Sequence, residues 1–157
     1  MDKTLSSTGA GFAPDLTQRP PRSARVRLGG YVILPRMLDK GRATIAGKNG
    51  AYHYNCPVDQ RFLSFVGIDA AGLREQLERG KGDGEILEWI EANATRRREA
   101  WEILAWSAQQ EQRSPAGHES IEYFNNLLSE ASRTREDIST WFDLLDLDDF
   151  VTFGGKA

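Results

Sequence analysis

The feature that most constrains this fold is the helical spacing of apolar residues from Pro57 onward. Pro57 stands where a first helical turn begins, and Gly67 stands where that helix would end. Asp69 and Asp83 are placed to cap two further helices, because a carboxylate can accept hydrogen bonds from the free N–H groups of a first turn. We therefore predict an all-α fold, a single compact domain of six or seven helices.

Three apolar stripes in the second half of the chain are predicted to form the core of this bundle. Their members recur at i, i+3, i+4 and i+7, so each stripe lies on one face of a helix. Large aromatic residues at this spacing are far more often core than part of a cofactor site. The stripes are Trp101, Leu104, Ala105 and Ala108; Ile121, Phe124 and Leu128; and Ile138, Trp141, Phe142 and Leu145.

The segment before Pro57 has two interpretations. Pro35 suits the first turn of a helix that would end near Gly47. The alternative is a β-hairpin over residues 43–55 that turns at an Asn-Gly dipeptide, with a short strand at 51–55. The helix is preferred because Gly47 is a natural helix stop, and the short strand at 51–55 stays open beside it.

The domain is expected to occupy residues 15–150, between two tails. Residues 1–14 are rich in Ser, Gly and Thr, which predicts a mobile tail, and residues 151–157 are taken as a second tail. The domain begins with an extended arm that carries four arginines, and two adjacent prolines keep it from forming a helix. The expected anchors of this arm are Leu16, Val26 and Leu28.

Composition and charge limit the class of protein. A hydrophobic content of 39% with 27% charged residues lies in the globular range, so neither a disordered nor a fibrous chain is expected. The net charge of −3 divides into +6 over residues 1–61 and −9 over residues 62–157. In a compact domain these parts can attract each other. The alternative is that the basic part binds an anionic ligand or an acidic protein.

Several sites and partners are not expected. No run approaches the roughly 20 apolar residues that span a bilayer, and the N-terminus has no apolar stretch typical of a signal peptide, so we expect a cytoplasmic protein without membrane contact. Cys56 is the single cysteine, and with His53 and His118 it falls short of a structural zinc site. No metal and no cofactor are predicted. Nucleic acid is not expected as a partner, because no recognition motif is present.

The candidate site is the segment 34–59, which concentrates chemically varied side chains. Arg36 and Lys40 lie four residues apart on one face of the predicted helix, so their like charges need a carboxylate or an anion between them. Asp39 is three residues from both Arg36 and Arg42, and an ion-pair ladder within the helix is the alternative explanation. The predicted ligand-binding residues are Arg36, Lys40, Arg42, Tyr52, His53, Tyr54 and Cys56.

Cys56 and His53 are the candidate catalytic residues. Cys56 would lie at the N-cap of the helix that starts at Pro57, where the helix dipole favours a thiolate. His53 is close enough in sequence to act as its base, with Asn55 or Asp59 orienting the imidazole. The alternative is that Cys56 is a small buried hydrophobe. Whether the protein is an enzyme stays open.

Tyr52 and Tyr54 would share one face of an extended segment, with His53 and Asn55 on the other. We expect one tyrosine to pack in the core and the other to line a pocket.

Four segments together resemble a family of small bacterial proteins classified as a domain of unknown function. The resemblance covers residues 15–90 and is less clear from Ala94 onward. It implies a bacterial, intracellular, stand-alone domain, and it assigns no activity, ligand or catalytic residue. The segments are DLTQRPPR, GGYVILPRMLDKGRATIAG, NGAYHYNCPVDQRFL and GDGEILEWI.

Two functions follow from these observations. The first is binding of a small anionic ligand, a carboxylate or a phosphate, in a pocket near residues 36–59. The alternative is a non-catalytic interaction module that uses the basic arm and the acidic C-terminal helix to contact a protein partner.

Overall fold

The computed structural model describes residues 13–157, and within them the chain forms seven α-helices and no β-strand. This confirms the predicted all-α domain. The helices are α1 (Leu34–Ile45), α2 (Pro57–Val66), α3 (Ala70–Glu78), α4 (Asp83–Asn93), α5 (Ala100–Gln112), α6 (His118–Ala131) and α7 (Trp141–Thr152). Of the helices in this part of the chain, none is long and apolar enough to cross a lipid bilayer.

The structure bears on the two predicted tails in different ways. Residues 1–12 of the expected N-terminal tail lie outside the described residues, and Pro14 is buried. At the other end, α7 continues through Thr152, so the expected tail 151–157 starts inside the last helical turn.

The hairpin considered for residues 43–55 does not form, and neither does the strand at 51–55. The helix α1 ends close to Gly47, as predicted. The backbone carbonyl of Lys48 accepts a hydrogen bond from Leu16 of the arm at 2.9 Å, so it is not available to a strand partner across the turn.

Three of the helix boundaries predicted around α2 and α3 are confirmed. Cys56 is the N-cap of α2, and Pro57 is its first residue. Gly67 ends α2 in the left-handed conformation with φ 70°. The carboxylate of Asp69 accepts a hydrogen bond from the N–H of Ala71 at 2.7 Å and caps α3.

The prediction that Asp83 caps α4 is wrong. Gly82 is the N-cap and Asp83 is the first helical residue. The carboxylate of Glu85 accepts the N–H of Gly82 at 3.2 Å, which leaves the Asp83 carboxylate free to bind arginines of other segments.

The main core lies between the segment that enters α1 and the helices α1 to α4, with one residue from α7. Aromatic rings extend it toward α5, where Trp106 stacks on Phe65 with ring centroids 4.7 Å apart. Its buried members are Ala24, Tyr31, Val32, Ile33, Leu34, Met37, Leu38, Phe62, Leu63, Val66, Leu73, Leu77, Ile86, Ile90 and Phe142.

The prediction that three C-terminal stripes form the core is wrong for α5 and correct only in part for α6 and α7. Trp101 and Leu104 are exposed, because α5 turns the neighbouring face, with Ile103, toward the core. Phe124 and Phe142 are buried as expected. In α5 both faces are apolar, so spacing alone could not select the inner one. Two other stripe residues also depart from the prediction: Ile121 is exposed, and Ile138 precedes α7.

The basic arm lies against acidic side chains of the same chain. Arg25 forms ion pairs with Asp143 and Asp146 of α7, and Arg27 pairs with Glu111 at 3.1 Å. The oppositely charged parts of the sequence therefore attract each other within the domain. Of the predicted anchors of the arm, Leu16 is buried and Leu28 packs on the core, whereas Val26 is 40% exposed.

Candidate functional site

The cations predicted to bind a ligand are all paired with carboxylates of the protein. Arg36 is buried, and its Nη1 and Nη2 lie 2.7 and 3.0 Å from the two carboxylate oxygens of Asp149. The hydroxyl of Tyr52 donates to the same carboxylate at 2.8 Å, and the Arg36 guanidinium lies over the Tyr52 ring. Burial and the hydrogen bond to Asp149 raise the pKa of Tyr52, so the phenol stays protonated.

Lys40 and Asp59 form a second buried pair. Lys40 Nζ lies 2.9 Å from Asp59 Oδ1 and 3.2 Å from Cys56 Sγ. The other oxygen of Asp59 accepts the N–H groups of Asn55 at 2.9 Å and Cys56 at 3.4 Å. Asp59 thus neutralises Lys40 and also holds the start of α2, which explains why both charges are tolerated away from water.

Arg42 belongs to a third cluster, at the start of α4. Its Nη1 lies 2.7 Å from Asp83 Oδ1, and Arg22 Nη1 lies 2.8 Å from the other oxygen of that carboxylate. Arg22 also forms hydrogen bonds with both oxygens of Asp39. The predicted ladder of Asp39 with Arg36 and Arg42 is therefore wrong, because Asp39 binds Arg22 of the arm while Arg36 and Arg42 bind Asp149 and Asp83.

The predicted catalytic pair is not in contact. The thiol of Cys56 and the carboxylate of Asp59 both bond to Lys40 rather than to His53, whose side chain is exposed. Asn55 accepts a hydrogen bond from Gln60 instead of orienting the imidazole. Catalysis by Cys56 or His53 stays a prediction, and the charged group in contact with the thiol is Lys40.

The alternation predicted for residues 52–55 is confirmed without a strand. Tyr52 and Tyr54 are half-buried, whereas His53 and Asn55 are exposed. The Tyr54 hydroxyl donates to the carbonyl of Ala70 at 2.7 Å, and burial raises the pKa of Tyr54. Both tyrosines serve packing, and neither lines the cleft described next.

A cleft of about 620 Å³ lies between the start of α2, α6 and α7, and it receives Cys56 from the predicted set. A volume of this size falls in the range of small-molecule sites. Most of the lining is apolar, with polar groups at a few points. The lining residues are Cys56, Pro57, Val58, Arg61, Arg113, Tyr123, Leu127, Glu130, Ala131, Trp141, Phe142, Leu144, Leu145, Asp148 and Val151.

Two arginines of the cleft, Arg61 and Arg113, have no ion pair with a carboxylate among residues 13–157. Arg61 Nε donates to the side-chain oxygen of Gln110 at 2.6 Å. Burial, and then the nearby charge of Arg61, lower the pKa of Arg113. A second guanidinium beside a partly buried one is unfavourable unless an anion lies between them.

The cleft also contains two carboxyl groups. Burial and the charge of Asp149 raise the pKa of Asp148. Neither Asp148 nor Glu130 forms an ion pair with Arg61 or Arg113 among residues 13–157. The arrangement offers an apolar body with one cationic end, which suits an amphipathic organic anion.

Sequence reasoning missed both arginines of the cleft. Arg61 lies three residues after Val58, on the same face of α2, and this position of a cation next to an apolar residue was the available signal. Arg113 follows the last turn of α5, and its backbone carbonyl accepts the N–H of Trp141 at 3.0 Å. No spacing pattern connects Arg113 with Arg61, because the fold alone brings α2 and the end of α5 together.

Comparison with protein families gives one finding. The model of the DUF5069 family, described as a domain of unknown function, matches residues 18–151. The match confirms the resemblance seen in the sequence, and it extends through the C-terminal third, where the sequence resemblance was less clear. A search of curated proteins found no match.

Proposed function

The chain belongs to the DUF5069 family, and we propose that its cleft between α2, α6 and α7 binds a small organic anion with an apolar body. The observation that carries the proposal is the arginine pair, Arg61 and Arg113, which faces an apolar cleft without a carboxylate partner in the described chain. The proposed ligand is still an anion, as expected from the sequence, but its site is the cleft rather than the pocket predicted near residues 36–59. The cations of the predicted site, Arg36, Lys40 and Arg42, already have internal partners.

The chemistry of the two ends defines the ligand class. A guanidinium offers two parallel N–H donors that fit a carboxylate or phosphate. The remaining wall, with Trp141 and Tyr123, supplies aromatic and aliphatic surface for a ring or a short alkyl chain. An organic acid with an apolar body of medium size therefore satisfies both ends. A bacterial, cytoplasmic setting, which the sequence resemblance implies, is part of this proposal.

A ligand titration of the purified full chain tests the proposal. Octanoate and phenylacetate are the probes, and octanol is the neutral control with the same apolar body as octanoate. We expect the two acids to raise the thermal midpoint, and the increase should grow with the logarithm of their concentration above the dissociation constant, since a ligand that binds only the folded state stabilises it by mass action. An equal shift with octanol would show that the arginines play no part.

Variants connect the binding to the arginine pair. Arg113→Gln should weaken octanoate binding about tenfold or more, because a hydrogen bond to a charged group contributes on the order of 1.5–3 kcal/mol. Arg97→Gln is the matched control, an exposed arginine outside the cleft. If Arg113→Gln is folded and binds the acids as tightly as the unchanged protein, the proposed site is wrong.

The interaction module is the second candidate, and the exposed outer face of α5 favours it. The basic arm and the acidic helix α7, which the sequence pointed to, bind each other within the chain. Any protein contact is better sought on the apolar surface around Trp101 and Leu104, which are 69% and 56% exposed.

A further inference from the structure

The cleft carries charged groups of opposite sign at two separate places along α7. The backbone N–H of Trp141, the first residue of α7, donates to the carbonyl of Arg113, which ties this arginine to the start of the helix. Asp148 lines the same cleft seven residues later. Seven residues make almost two helical turns, so Trp141 and Asp148 lie on one face of α7, about 10 Å apart at a rise of about 1.5 Å per residue.

Helix α1 places the start of α2 near Asp148. Arg36 of α1 binds Asp149, the neighbour of Asp148 in α7. One turn later in α1, Lys40 Nζ lies 3.2 Å from Cys56 Sγ, and Cys56 is the N-cap of α2. The cleft wall formed by α2 therefore begins at the end of the cleft that holds Asp148.

The arginine pair lies toward the other end. Arg61 follows Cys56 by five residues of α2, about 7.5 Å along the helix axis at a rise of about 1.5 Å per residue. Burial, and then the charge of Arg61, lower the pKa of Arg113, which places the two guanidinium groups near each other. Leu144 and Leu145 line the cleft along α7 between the two ends. The cleft therefore has a cationic end and an acidic end, with apolar surface between them.

We propose, building on the proposed function, that the ligand is a zwitterion whose carboxylate binds Arg61 and Arg113 and whose ammonium binds Asp148. Asp148 is accessible from solvent and forms no ion pair among residues 13–157, so its carboxylate is available to a ligand. Partial burial and the charge of Asp149 raise the pKa of Asp148. A bound ammonium opposes both effects, because a nearby cation favours the ionised carboxyl.

The separation of the two ends sets the length of the ligand. An extended chain advances about 1.2 Å per bond, one third of the reach of an extended residue. The eight bonds from the carboxyl carbon to the nitrogen of 8-aminooctanoate therefore span about 10 Å, close to the distance from Trp141 to Asp148 along α7. The ligand class is an amino acid whose ammonium lies at the far end of an alkyl chain from its carboxylate.

Calorimetric titration of the full chain with 8-aminooctanoate tests the ammonium contact. We expect wild type to bind it and Asp148→Asn to bind it about fivefold more weakly, since a partly exposed ion pair contributes up to about that factor. Octanoate has no ammonium, so its affinity should be the same in wild type and Asp148→Asn. Arg113→Gln should weaken both probes by the same factor, because both carry the carboxylate.

Glu130→Gln is the matched control, since it removes the charge of the other carboxyl group of the cleft by the same chemical change. It should leave the affinity for 8-aminooctanoate unchanged. Circular dichroism of each variant checks that the fold is retained. Asp148→Asn should pass this check, because Asp148 has no ion pair in the described chain to lose.

The outcomes separate this inference from the proposed function. If octanoate binds and Asp148→Asn changes the affinity for neither probe, the cleft binds an organic acid and only the ammonium contact is wrong. If Glu130→Gln rather than Asp148→Asn weakens 8-aminooctanoate, the contact at Asp148 is likewise wrong. If neither probe binds wild type, the proposed function and this inference both fail.

Discussion

Removal of the Lys40 ammonium should lower the free energy of unfolding more than removal of one partner of an exposed ion pair. Asp59 is fully buried, and Lys40 Nζ is its charged partner at 2.9 Å. In Lys40→Met the Asp59 carboxylate keeps its two backbone donors but loses the compensating charge. Breaking a buried pair from one side costs about 3–5 kcal/mol, because the remaining charge is left uncompensated in a poorly solvated place.

This magnitude is large against the whole stability of such a domain. Folded domains are stable by about 5–15 kcal/mol, so Lys40→Met should remain folded but lose a large fraction of its free energy of unfolding. At this chain length each kcal/mol lowers the thermal midpoint by about 2–4 °C, and we expect a decrease of roughly 6–20 °C. Urea unfolding followed by circular dichroism measures the free energy directly.

A second substitution separates the buried charge from lost packing. Asn at position 59 can still accept the backbone hydrogen bonds at the start of α2 but carries no charge. Lys40→Met with Asp59→Asn should therefore recover most of the loss seen in Lys40→Met. Arg74→Met, in the exposed pair with Glu78, is the control and should change the free energy by no more than about 0.5 kcal/mol.

Either of two results would contradict a role for the Lys40 charge in stability. One is a loss below about 1 kcal/mol in Lys40→Met, which would mean that the Asp59 carboxylate needs no charged partner. The other is a double variant that is no more stable than Lys40→Met.

Three further predictions concern local structure and pH. Gly67→Ala should destabilise the domain by more than about 1 kcal/mol, because a Cβ would meet Thr95 Oγ1 at 2.0 Å. Gly47 also has a positive φ, but a Cβ there would meet nothing within 4 Å. The difference in urea midpoint between Gly67→Ala and Gly47→Ala therefore measures the clash with Thr95. Thr140→Ala removes the cap that accepts the N–H of the third residue of α7 and should cost about 1 kcal/mol by the same assay. Burial raises the pKa of Asp83, but its arginine partners outweigh burial and lower the pKa below 3.8. The ionised carboxylate therefore contributes its full stabilisation above pH 3.8, and this contribution is lost as the pH falls through the lowered pKa. Acid unfolding of Asp83→Asn should show a smaller loss of stability in that range than acid unfolding of the wild type.

In the candidate site, local sequence predicted that two cations need a partner but not which residues supply it. The pattern around Arg36 and Lys40 required something to neutralise two like charges, and both are neutralised in the structure. The partners, however, are Asp149 and Asp59 rather than a ligand or Asp39. Asp149 is 113 residues from Arg36, and no local spacing could have selected it.

For the core as well, local spacing predicted the helices but not which of their faces is buried. Apolar spacing identified helices in α5, α6 and α7, but in α5 it assigned the outer stripe with Trp101 and Leu104 to the core. Helical spacing reports which residues share a face, whereas burial depends on which neighbour covers that face. In α5 the ring of Trp106 meets Phe65, and this contact turns the second apolar face outward.

By itself, the sequence determined the elements that depend on neighbouring residues. The all-α class, the helix starting at Pro57, its end at Gly67 and the cap at Asp69 all follow from steric limits and hydrogen bonds that act within a few residues. Only the tertiary structure decided which carboxylate pairs with each arginine, and that Arg61 meets Arg113 beside an apolar cleft. Charges act through space, and their partners are fixed by helix packing rather than by distance along the chain.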